Sequence, residues 1–579
     1  MEKAPFVSEA EKRAFWHSTS HILADAVKRL WPEVKLGIGP AIDEGFYYDF
    51  SKKEPFTEAD LAKIESVMKK ITKEGKLYKE VFMTRKEAEK FLKDEPYKLD
   101  LLKDFPGNKI SFHQHGNFID MCNTPVVKST GQIKAFKLLN LAAAYWRGDS
   151  TKPQLQRIYG ISFPDKEQLD EYLKLRDEAE KRNHRILGLQ HELFMFHETA
   201  PGMPYWLPKG MVILNELINF WRQEHAKRGY KEISTPLINK KELWEKSGHW
   251  EHYRNDMFIV DLGPNEIYGV KAMNCPNAMI VFGSRARSYR ELPLRFSNTD
   301  ILHRYEASGA LNGLLRVREF RQDDSHNFIS EDQIEQEYDS IFEIAELFYG
   351  IFGLKYKLRL STRPEKFMGD IKAWNEAEAA LKRILEKRAG KGNYSIADGD
   401  GAFYGPKIDI LMTDALGREW QMGTVQLDFQ QPKRFNLKYI DKENKERTPI
   451  VVHRVIYGSL ERFIGILIEN FAGAFPLWLS PVQVKILSFT DRNIPACQRI
   501  EKELFGAGFR VESDYGNNTV DYKVRAAELE KVPYVLVVGD KEEKNNTVAV
   551  RKRGTAKVQF GVTVQNFIGR VIGEIEKKV

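Results

Sequence analysis

The stretch RYEASGALNGLLRVREFRQDDSH (304–326) decides the fold that we expect for this chain. It lies between two segments of alternating apolar residues and is rich in Gly, Ala and Ser at its middle, which predicts two antiparallel strands joined by a loop. Residues two apart on a strand point to one face, so Arg304 should lie beside Glu306. Arg316 and Arg318 should form a second such pair. A guanidinium pairs with phosphate or carboxylate through parallel hydrogen bonds, so arginines that face one way suggest anion recognition, although strand arginines taken alone more often form a solvated charged face.

The order of residues in this stretch resembles a known motif. R-x-E, a variable loop and R-x-R-E-F-x-Q-D-D-x-H are similar to motif 2 of class II aminoacyl-tRNA synthetases, in the form found in threonyl-tRNA synthetases of bacterial type. The similarity continues from about residue 6 to the C terminus. It implies a multidomain α+β and α/β protein. The implied parts are an α+β editing-like domain (1–160), a linker helix (161–195), a catalytic domain built on an antiparallel sheet (196–479) and an α/β anticodon-binding domain (480–579).

Composition and length agree with this division. A chain of 579 residues corresponds to about four domains of ordinary size, and 42% hydrophobic residues suffice for their cores. The net charge of +7 permits a polyanionic partner without requiring one. Cys122, Cys275 and Cys497 lie far apart, which argues for a reducing compartment. We find no apolar signal segment and no stretch able to span a bilayer, and therefore expect a cytoplasmic protein without a membrane partner.

The first 150 residues contain a second candidate site. His17 and His21 are four apart in a segment with helical periodicity, so they share one face; a core histidine and a surface histidine are the ordinary alternative. HSTSH, DMC and AYWRGDS resemble the editing domain of threonyl-tRNA synthetases, where HxxxH and Cys-xxx-His pairs line a pocket that hydrolyses mischarged seryl-tRNA. This resemblance assigns His17, His21 and Cys122 to editing. The pattern over residues 57–94 predicts two charged amphipathic helices.

One position departs from the editing pattern. The residue four after Cys122 is Val126, where the family has histidine. His113 or His115 could substitute for it. The alternatives are a hydrolase that is retained but weakened, or a domain kept for structure and RNA contact. Relatives often carry a ubiquitin-like domain before this one, and we expect this chain to lack it.

The catalytic part contains three residues whose spacing alone does not group them. Cys275, His326 and His453 are 51 and 127 residues apart, far outside zinc-finger spacing. The resemblance groups them as the ligands of one zinc ion per subunit, with an open coordination position. Zinc that accepts both the amino and hydroxyl groups of threonine would exclude valine, which an apolar pocket distinguishes poorly.

The resemblance also assigns residues to the substrates. The residues implied in catalysis are Arg304, Arg462 and Lys407. Those implied in ATP binding are Arg304, Glu306, Arg316, Gln421, Thr424, Ser459 and Arg462. Those implied in threonine binding are Met273, Arg304, Gln322, Asp324, Tyr404 and Gln426. Several of these lie in the segment 401–429, whose alternation predicts a hairpin with Gly417 in its turn.

Together these features imply an aminoacyl-tRNA synthetase that forms threonyl-adenylate from ATP, with Mg²⁺, and transfers threonine to tRNA(Thr). Its catalysis would rest on positioning and electrostatics. The helix and strand over 211–236 resemble motif 1 and imply a homodimer, and the basic residues 551–553 are candidate RNA contacts. A non-catalytic RNA-binding paralogue, or a sister synthetase for proline, serine or glycine, is the alternative. Loss of the motif arginines or of the Cys/His/His set would favour these alternatives, and none is lost.

Overall fold

The computed structural model describes residues 6, 8–149, 151–263, 266–414 and 417–578. The chain forms two compact units, Met1–Asp177 and Glu178–Val579. The first unit is an α+β unit. Its elements, in chain order, are α1 (Glu9–Leu30), β1 (Lys35–Leu36), β2 (Ala41–Ile42), β3 (Gly45–Ser51), α2 (Glu58–Glu74), β4 (Tyr78–Thr84), α3 (Arg85–Phe91), α4 (Pro96–Leu102), β5 (Lys109–His115), β6 (Phe118–Met121), β7 (Ala135–Tyr145), β8 (Gln154–Phe163) and the start of α5 (Lys166–Arg182).

Helix α1 is the centre of the first unit. It begins at the N-cap Ser8, whose hydroxyl accepts the N–H of Glu11, and residues 15–27 of the helix are buried. It packs on α2 and on β3 of a five-stranded sheet with the order β1-β3-β8-β7, in which β2 pairs with β3. A separate antiparallel sheet, β4-β5-β6, carries His113 opposite Asp120.

The prediction of two helices over 57–94 is wrong in its second half. Helix α2 ends at Gly75, and β4 occupies residues 78–84 before the short helix α3 begins. The segment YKEVFMT alternates in burial and pairs with β5, so tertiary pairing overrides its charged, helix-compatible composition.

The second unit contains the catalytic core. Its elements up to residue 471 are α6 (His184–Gln190), β9 (Phe194–Met195), β10 (Tyr205–Trp206), α7 (Pro208–Lys227), β11 (Lys231–Glu232), β12 (Ile238–Lys240), α8 (Lys241–Ser247), α9 (His249–Tyr253), β13 (Ile259–Asp261), β14 (Ile267–Val270), α10 (Cys275–Gly283), β15 (Leu294–Asn298), β16 (Ile301–His303), β17 (Glu319–Arg321), β18 (Asp324–Ile329), α11 (Ile334–Gly350), β19 (Tyr356–Ser361), α12 (Ile371–Ala389), β20 (Ser395–Ala397), β21 (Lys407–Thr413), β22 (Glu419–Asp428), α13 (Gln431–Arg434), β23 (Tyr439–Ile440), β24 (Glu446–Arg447), β25 (Ile450–Val455) and α14 (Leu460–Phe471).

An eight-stranded sheet organises this core, with the order β11-β15-β18-β25-β22-β21-β19-β20. Its inner strands are antiparallel, and only the two edge pairs, β11–β15 and β19–β20, are parallel. The predicted antiparallel hairpin around 304–326 is confirmed, because β15 pairs with β18 and β16 pairs with β17. The hairpin over 401–429 is confirmed by β21 and β22; residues 415–416 of its turn lie outside the described residues.

Two details of the predicted organisation are wrong. β16 ends at His303 and β17 begins at Glu319, so Arg304 and Glu306 lie on the loop and not on the strand. The single long helix expected over 161–195 is divided, because β8 extends to Phe163 and α5 and α6 are separated at Asn183, the N-cap of α6. The two compact units meet within α5.

The C-terminal part of the second unit is an α/β domain, as predicted. Its elements are β26 (Val484–Ser488), α15 (Ile494–Gly506), β27 (Val511–Asp514), α16 (Val520–Leu529), β28 (Tyr534–Val538), α17 (Asp540–Asn545), β29 (Thr547–Lys552), β30 (Gln559–Thr563) and α18 (Val564–Glu576). The sheet order β27-β26-β28-β29-β30 places the fully buried β28 at the centre, which confirms the prediction for that strand.

Two expectations about the whole chain can be compared with the structure. The three cysteines are all buried and unpaired. Among the described residues, no helix combines the length and apolar character that a membrane span requires.

Candidate functional sites

One cavity of about 530 Å³ in the second unit collects almost every predicted substrate and zinc residue. The predicted residues that line it are Met273, Cys275, Arg304, Glu306, Arg316, Gln322, Asp324, His326, Tyr404, Gln421, Thr424, Gln426, His453, Ser459 and Arg462. The exception is Lys407, which is buried and does not line the cavity.

The Cys/His/His set comes together at this cavity. His326 and His453 are register partners on the neighbouring strands β18 and β25, and their ring centroids are 4.8 Å apart. Cys275 is the first residue of α10, and one ligand atom from each of the three residues lies within 4.8 Å of the others. Burial lowers the pKa of His326 far below its usual range, so its imidazole is neutral, as a metal ligand must be.

The surroundings of this set fit a zinc site. Nε2 of His453 lies 2.9 Å from Oδ2 of the buried Asp428, which leaves the other ring nitrogen for a metal. The second carboxylate oxygen of Asp428 accepts the N–H groups of Gln430 and Gln431, which fix the carboxylate in place. One thiol and two imidazoles are zinc ligands, and the carboxylate–histidine pair is the usual outer support of such a site.

His249 is a further residue of this site that the sequence did not reveal. It is 1% exposed, its Nε2 is 3.7 Å from Sγ of Cys275, and its Nδ1 is 2.8 Å from Oγ of Ser247. Burial, together with the charges of His453 and Arg304, lowers its pKa to about 3. Twenty-six residues separate it from Cys275 without any ligand-like spacing, so only the fold brings the two together.

Among the described residues, Arg304, Arg316 and Arg462 are three of the four arginines that line the same cavity. Arg462 donates from Nε to the carbonyl of Leu315 and from Nη1 to the carbonyl of Gln421, each at 2.8 Å. Burial lowers the pKa of Arg462, and the positive charges of Arg316 and Arg304 lower it further. The clustered positive charges create a positive potential in the cavity.

Arg318, in contrast, takes no part in the cavity. Its guanidinium donates to the carbonyl of Glu306 at 2.9 Å and to Oγ of Ser308 at 3.2 Å, and the residue is 8% exposed. The prediction that Arg318 pairs with Arg316 on an anion-binding face is therefore wrong. Arg318 holds the loop, and Arg316 instead donates to Oε2 of Glu306 at 3.0 Å.

The chain around residue 458 sets the position of Arg462. Gly458 has a φ of +72°, and a Cβ there would lie 2.1 Å from the carbonyl oxygen of Met422, so this close approach of two backbones requires glycine. Ser459 caps α14 by accepting the N–H of Arg462. The buried Asp323 accepts the N–H groups of Ile456 and Gly458, and burial raises its pKa to about 7.

The buried Asp409 organises another wall of the cavity. Its Oδ1 accepts hydrogen bonds from Nε2 of Gln421 at 2.7 Å and Oγ1 of Thr424 at 2.9 Å. Nζ of Lys407 is 3.2 Å from the same carboxylate and 3.5 Å from Asp400. Lys407 thus compensates a buried charge.

Polar contacts also fix the residues that are predicted to bind threonine. Asn274 donates to Oδ2 of Asp324 at 2.9 Å. Burial raises the pKa of Asp324 to about 6, although this hydrogen bond lowers it. The Tyr404 hydroxyl donates to Oε1 of Gln426. Gln426 is in turn the register partner of His453, so these groups lie next to the Cys/His/His set.

The first unit brings the predicted editing residues together. Nε2 of His17 lies 2.8 Å from Sγ of Cys122 and 3.1 Å from Nε2 of His21. Nδ1 of His21 is 3.1 Å from Oδ2 of Asp120, and Oδ1 of the same carboxylate is 2.6 Å from Nζ of Lys98. A nitrogen and a sulfur bound to one tetrahedral zinc would be about 3.5 Å apart, so the close contact between His17 and Cys122 fits a hydrogen-bonded pair better than a metal site.

The comparisons with known proteins agree with this architecture. Family models match at residues 110–159 (Threonyl and Alanyl tRNA synthetase second additional domain), 258–471 (tRNA synthetase class II core domain (G, H, P, S and T)) and 481–574 (Anticodon binding domain). A threonine–tRNA ligase of Desulforamulus reducens is 50% identical over 581 residues, which cover 100% of this chain and 91% of the relative. The chain belongs to the threonine–tRNA ligase family.

Other relatives of the ligase support the same assignment. The threonine–tRNA ligase of Caldanaerobacter subterraneus is 49% identical over 581 residues, covering 100% of this chain and 90% of that one. A solved structure titled as the RNA binding domain of threonyl-tRNA synthetase from Cryptosporidium parvum aligns with a TM-score of 0.66 and 41% identity, over 68% of this chain and 98% of the other. The predictions of an aminoacyl-tRNA synthetase with a class II core and an anticodon-binding domain are confirmed.

Proposed function

We propose that this ligase activates L-threonine with ATP and transfers it to the 3′-terminal adenosine of tRNA(Thr). The observation that carries the proposal is that Cys275, His326 and His453 line the same cavity as three mutually repelling arginines. A site for a hydroxyl- and amine-bearing amino acid would thus lie next to a site for a polyphosphate. Adenylate formation requires this adjacency, because the two substrates react with each other and no protein nucleophile is needed.

Cys275, His326 and His453 would hold one zinc ion per subunit. When bound, zinc supplies a Lewis-acid position that accepts the amino and hydroxyl groups of threonine, and valine lacks the hydroxyl. Asp428 orients the His453 ring, and Asn274 holds the carboxylate of Asp324 at the cavity wall.

Arg304 and Arg462 would stabilise the charge on the ATP phosphates, which enter with Mg²⁺, while the threonine carboxylate attacks the α-phosphorus. Glu306 would accept a hydrogen bond from the adenine amino group, which requires its contact with Arg316 to open. Contact between Lys407 and the adenylate would likewise require its ammonium group to leave Asp409. Gln421 and Thr424 are already held on the cavity wall.

The remaining parts of the chain would serve tRNA and assembly. The α/β domain from residue 480 would bind the anticodon. Leu237, Ile238 and Leu262 are exposed on and beside the small sheet β12-β14-β13, and this apolar surface favours a homodimer. Three unpaired cysteines favour a cytoplasmic location.

The first unit would remove serine attached in error. Serine keeps the amino and hydroxyl groups and lacks one methyl, a difference worth about 1–3 kcal/mol in a binding site. This limits discrimination to roughly 10–200-fold, so hydrolysis of seryl-tRNA(Thr) at His17, His21 and Cys122 would supply the rest.

Amino-acid-dependent exchange between ATP and pyrophosphate tests the proposal. We expect exchange with threonine, weaker exchange with serine and none with valine, and we expect it to stop after chelation and return with added zinc. Cys275→Ala should abolish exchange, whereas the matched control Cys497→Ala, at a buried cysteine of the C-terminal domain, should not. Exchange with proline or glycine would indicate a sister synthetase, and tRNA binding without any exchange would indicate a non-catalytic paralogue.

A further inference from the structure

The structure identifies a third histidine beside the cluster of His17, His21 and Cys122. His113, on β5, is the register partner of Asp120 on β6, and directly opposed residues of an antiparallel pair point to the same face. Asp120 contacts His21 at 3.1 Å, and the rings of His21 and His113 are 6.4 Å apart. His113 is 9% exposed, and its Nδ1 has no hydrogen-bond partner among the residues that the structure describes.

We propose that His113 accepts the proton from the attacking water during hydrolysis of mischarged tRNA, in place of a histidine at position 126. This inference rests on the editing function proposed above. Position 126 carries valine, whose side chain neither donates nor accepts a proton.

The other two histidines of the cluster are not free for this step. Nδ1 of His17 is 3.0 Å from the carbonyl oxygen of Gly39, and its Nε2 faces Sγ of Cys122, so both ring nitrogens are engaged. Burial lowers the pKa of His21, but Asp120 and Cys122 outweigh burial and raise it to about 9. His21 is therefore protonated near neutral pH and cannot accept a further proton. His113 is the remaining histidine beside the cluster, and its Nδ1 has no hydrogen-bond partner among the described residues.

The thiol supports this arrangement. Burial raises the pKa of Cys122, but hydrogen bonds from the surrounding histidines, that from His113 being the largest, outweigh burial and lower it to about 3. The thiolate and the protonated His21 form an ion pair. Water adds its oxygen to the ester carbonyl carbon, the bond from that carbon to the ribose oxygen breaks, and the proton taken up by His113 ends on that ribose oxygen. Serine and uncharged tRNA leave without any further reactant.

His115 provides a matched control two residues along the same strand. It is 1% exposed and also has a ring nitrogen without a partner, but its Nδ1 faces Asp25 at 3.7 Å and its ring packs against Tyr78 and Phe118. Burial lowers its pKa to about 4. It shares the strand, the burial and the chemistry of His113 without belonging to the Cys122 cluster.

The experiment follows deacylation of preformed seryl-tRNA(Thr) by the full chain and by His113→Gln, His115→Gln and the double variant His113→Gln/Val126→His. Threonine charging of tRNA by each variant verifies folding and tRNA binding. We expect His113→Gln to slow hydrolysis by about 100-fold or more, since positioned acid–base groups contribute factors of this size. His115→Gln should stay within a few-fold of the wild type. The N–H of Val127 donates to Oγ of Ser18 at 2.8 Å, and Ser18 follows His17 in α1. Position 126 is therefore close to the cluster, and a histidine there should restore hydrolysis in the double variant.

The outcomes separate the two proposals. Hydrolysis by the wild type that survives in His113→Gln would overturn the role of His113 and leave editing intact. The role of His113 would also be overturned if hydrolysis is lost in His113→Gln, is not restored in the double variant, and is not restored in His113→Ala by added imidazole. That result would show that His113 has a structural role only. A wild type without hydrolysis would overturn editing in this chain and His113 with it, whereas threonine charging would be unaffected.

Discussion

Asp428→Asn is the substitution that most directly tests the metal site without touching its three ligands. The carboxylate of Asp428 is buried, and its Oδ2 is 2.9 Å from Nε2 of His453. The other oxygen accepts the N–H groups of Gln430 and Gln431 at 2.7 and 3.0 Å. An asparagine keeps the size and can keep these backbone hydrogen bonds through its carbonyl oxygen, which places its NH2 group, a donor, where the carboxylate faced the imidazole.

The magnitude follows from that one contact. A hydrogen bond between a charged and a neutral group is worth about 1.5–3 kcal/mol, and outer-sphere partners of metal ligands change metal affinity by about 10–100-fold, which is roughly 1.4–2.7 kcal/mol. The two ranges agree. We therefore expect Asp428→Asn to raise the Kd for zinc about 10–100-fold.

Competition with a chromophoric chelator measures the zinc affinity directly. Asp370→Asn is the control, because Asp370 also accepts two backbone N–H groups, those of Lys372 and Ala373, at the start of a helix but has no contact with the cavity residues. Its zinc affinity should equal that of the wild type. Unchanged zinc affinity in Asp428→Asn, with an intact fold, would refute the reasoning that this carboxylate supports a metal-bound histidine.

Three further outcomes are expected from other parts of the chain. Arg462→Lys keeps the charge but cannot reproduce both hydrogen bonds of the guanidinium, so ATP–pyrophosphate exchange should fall by about 10²–10³-fold while zinc content stays constant. A thiolate absorbs near 240 nm, so the difference in absorbance between wild type and Cys122→Ala reports the ionisation of Cys122. We expect a thiolate at pH 6 that is lost only as the pH approaches about 3, because the surrounding histidines lower the pKa of the thiol more than burial raises it. A thiolate that appears only above pH 8 would contradict this. The guanidinium of Arg553 donates to the carbonyls of Lys531 and Phe475. Arg553→Met should therefore lower the free energy of unfolding by about 2–3 kcal/mol and leave the salt dependence of tRNA binding unchanged. A weaker salt dependence in the variant would instead identify Arg553 as an RNA contact.

The sequence was informative where local pattern and chemistry coincide. Alternation predicted the hairpins that carry motif 2 and the segment 401–429, and the continuous apolar run of β28 predicted a central strand. Residue types at these positions, compared with a known family, were enough to select the residues that line the cavity.

The remaining features depend on pairings between distant segments. His326 faces His453 because two strands 127 residues apart pair in one register, which no local pattern records. His249, at the start of α9, meets Cys275, at the start of α10, through the packing of the fold and without strand pairing. Lys407 sits on a strand in line with pocket residues, yet its ammonium group pairs with the buried charge of Asp409 and does not line the cavity. A single sequence shows which groups a chain has and leaves open which of them neutralise each other.

The convergence of Arg304, Arg316 and Arg462 has a consequence for the lifetime of the enzyme. Repulsion among these half-buried like charges favours locally opened states in which the arginines move apart. A bound polyphosphate neutralises the repulsion, and because it binds only the folded chain it stabilises the folded state. Nucleotide depletion would thus expose more of the chain to proteases, and digestion with and without a non-hydrolysable ATP analogue measures the effect; equal rates at saturating analogue would exclude it. The amount of this enzyme would then rise and fall with the concentration of ATP, its own substrate.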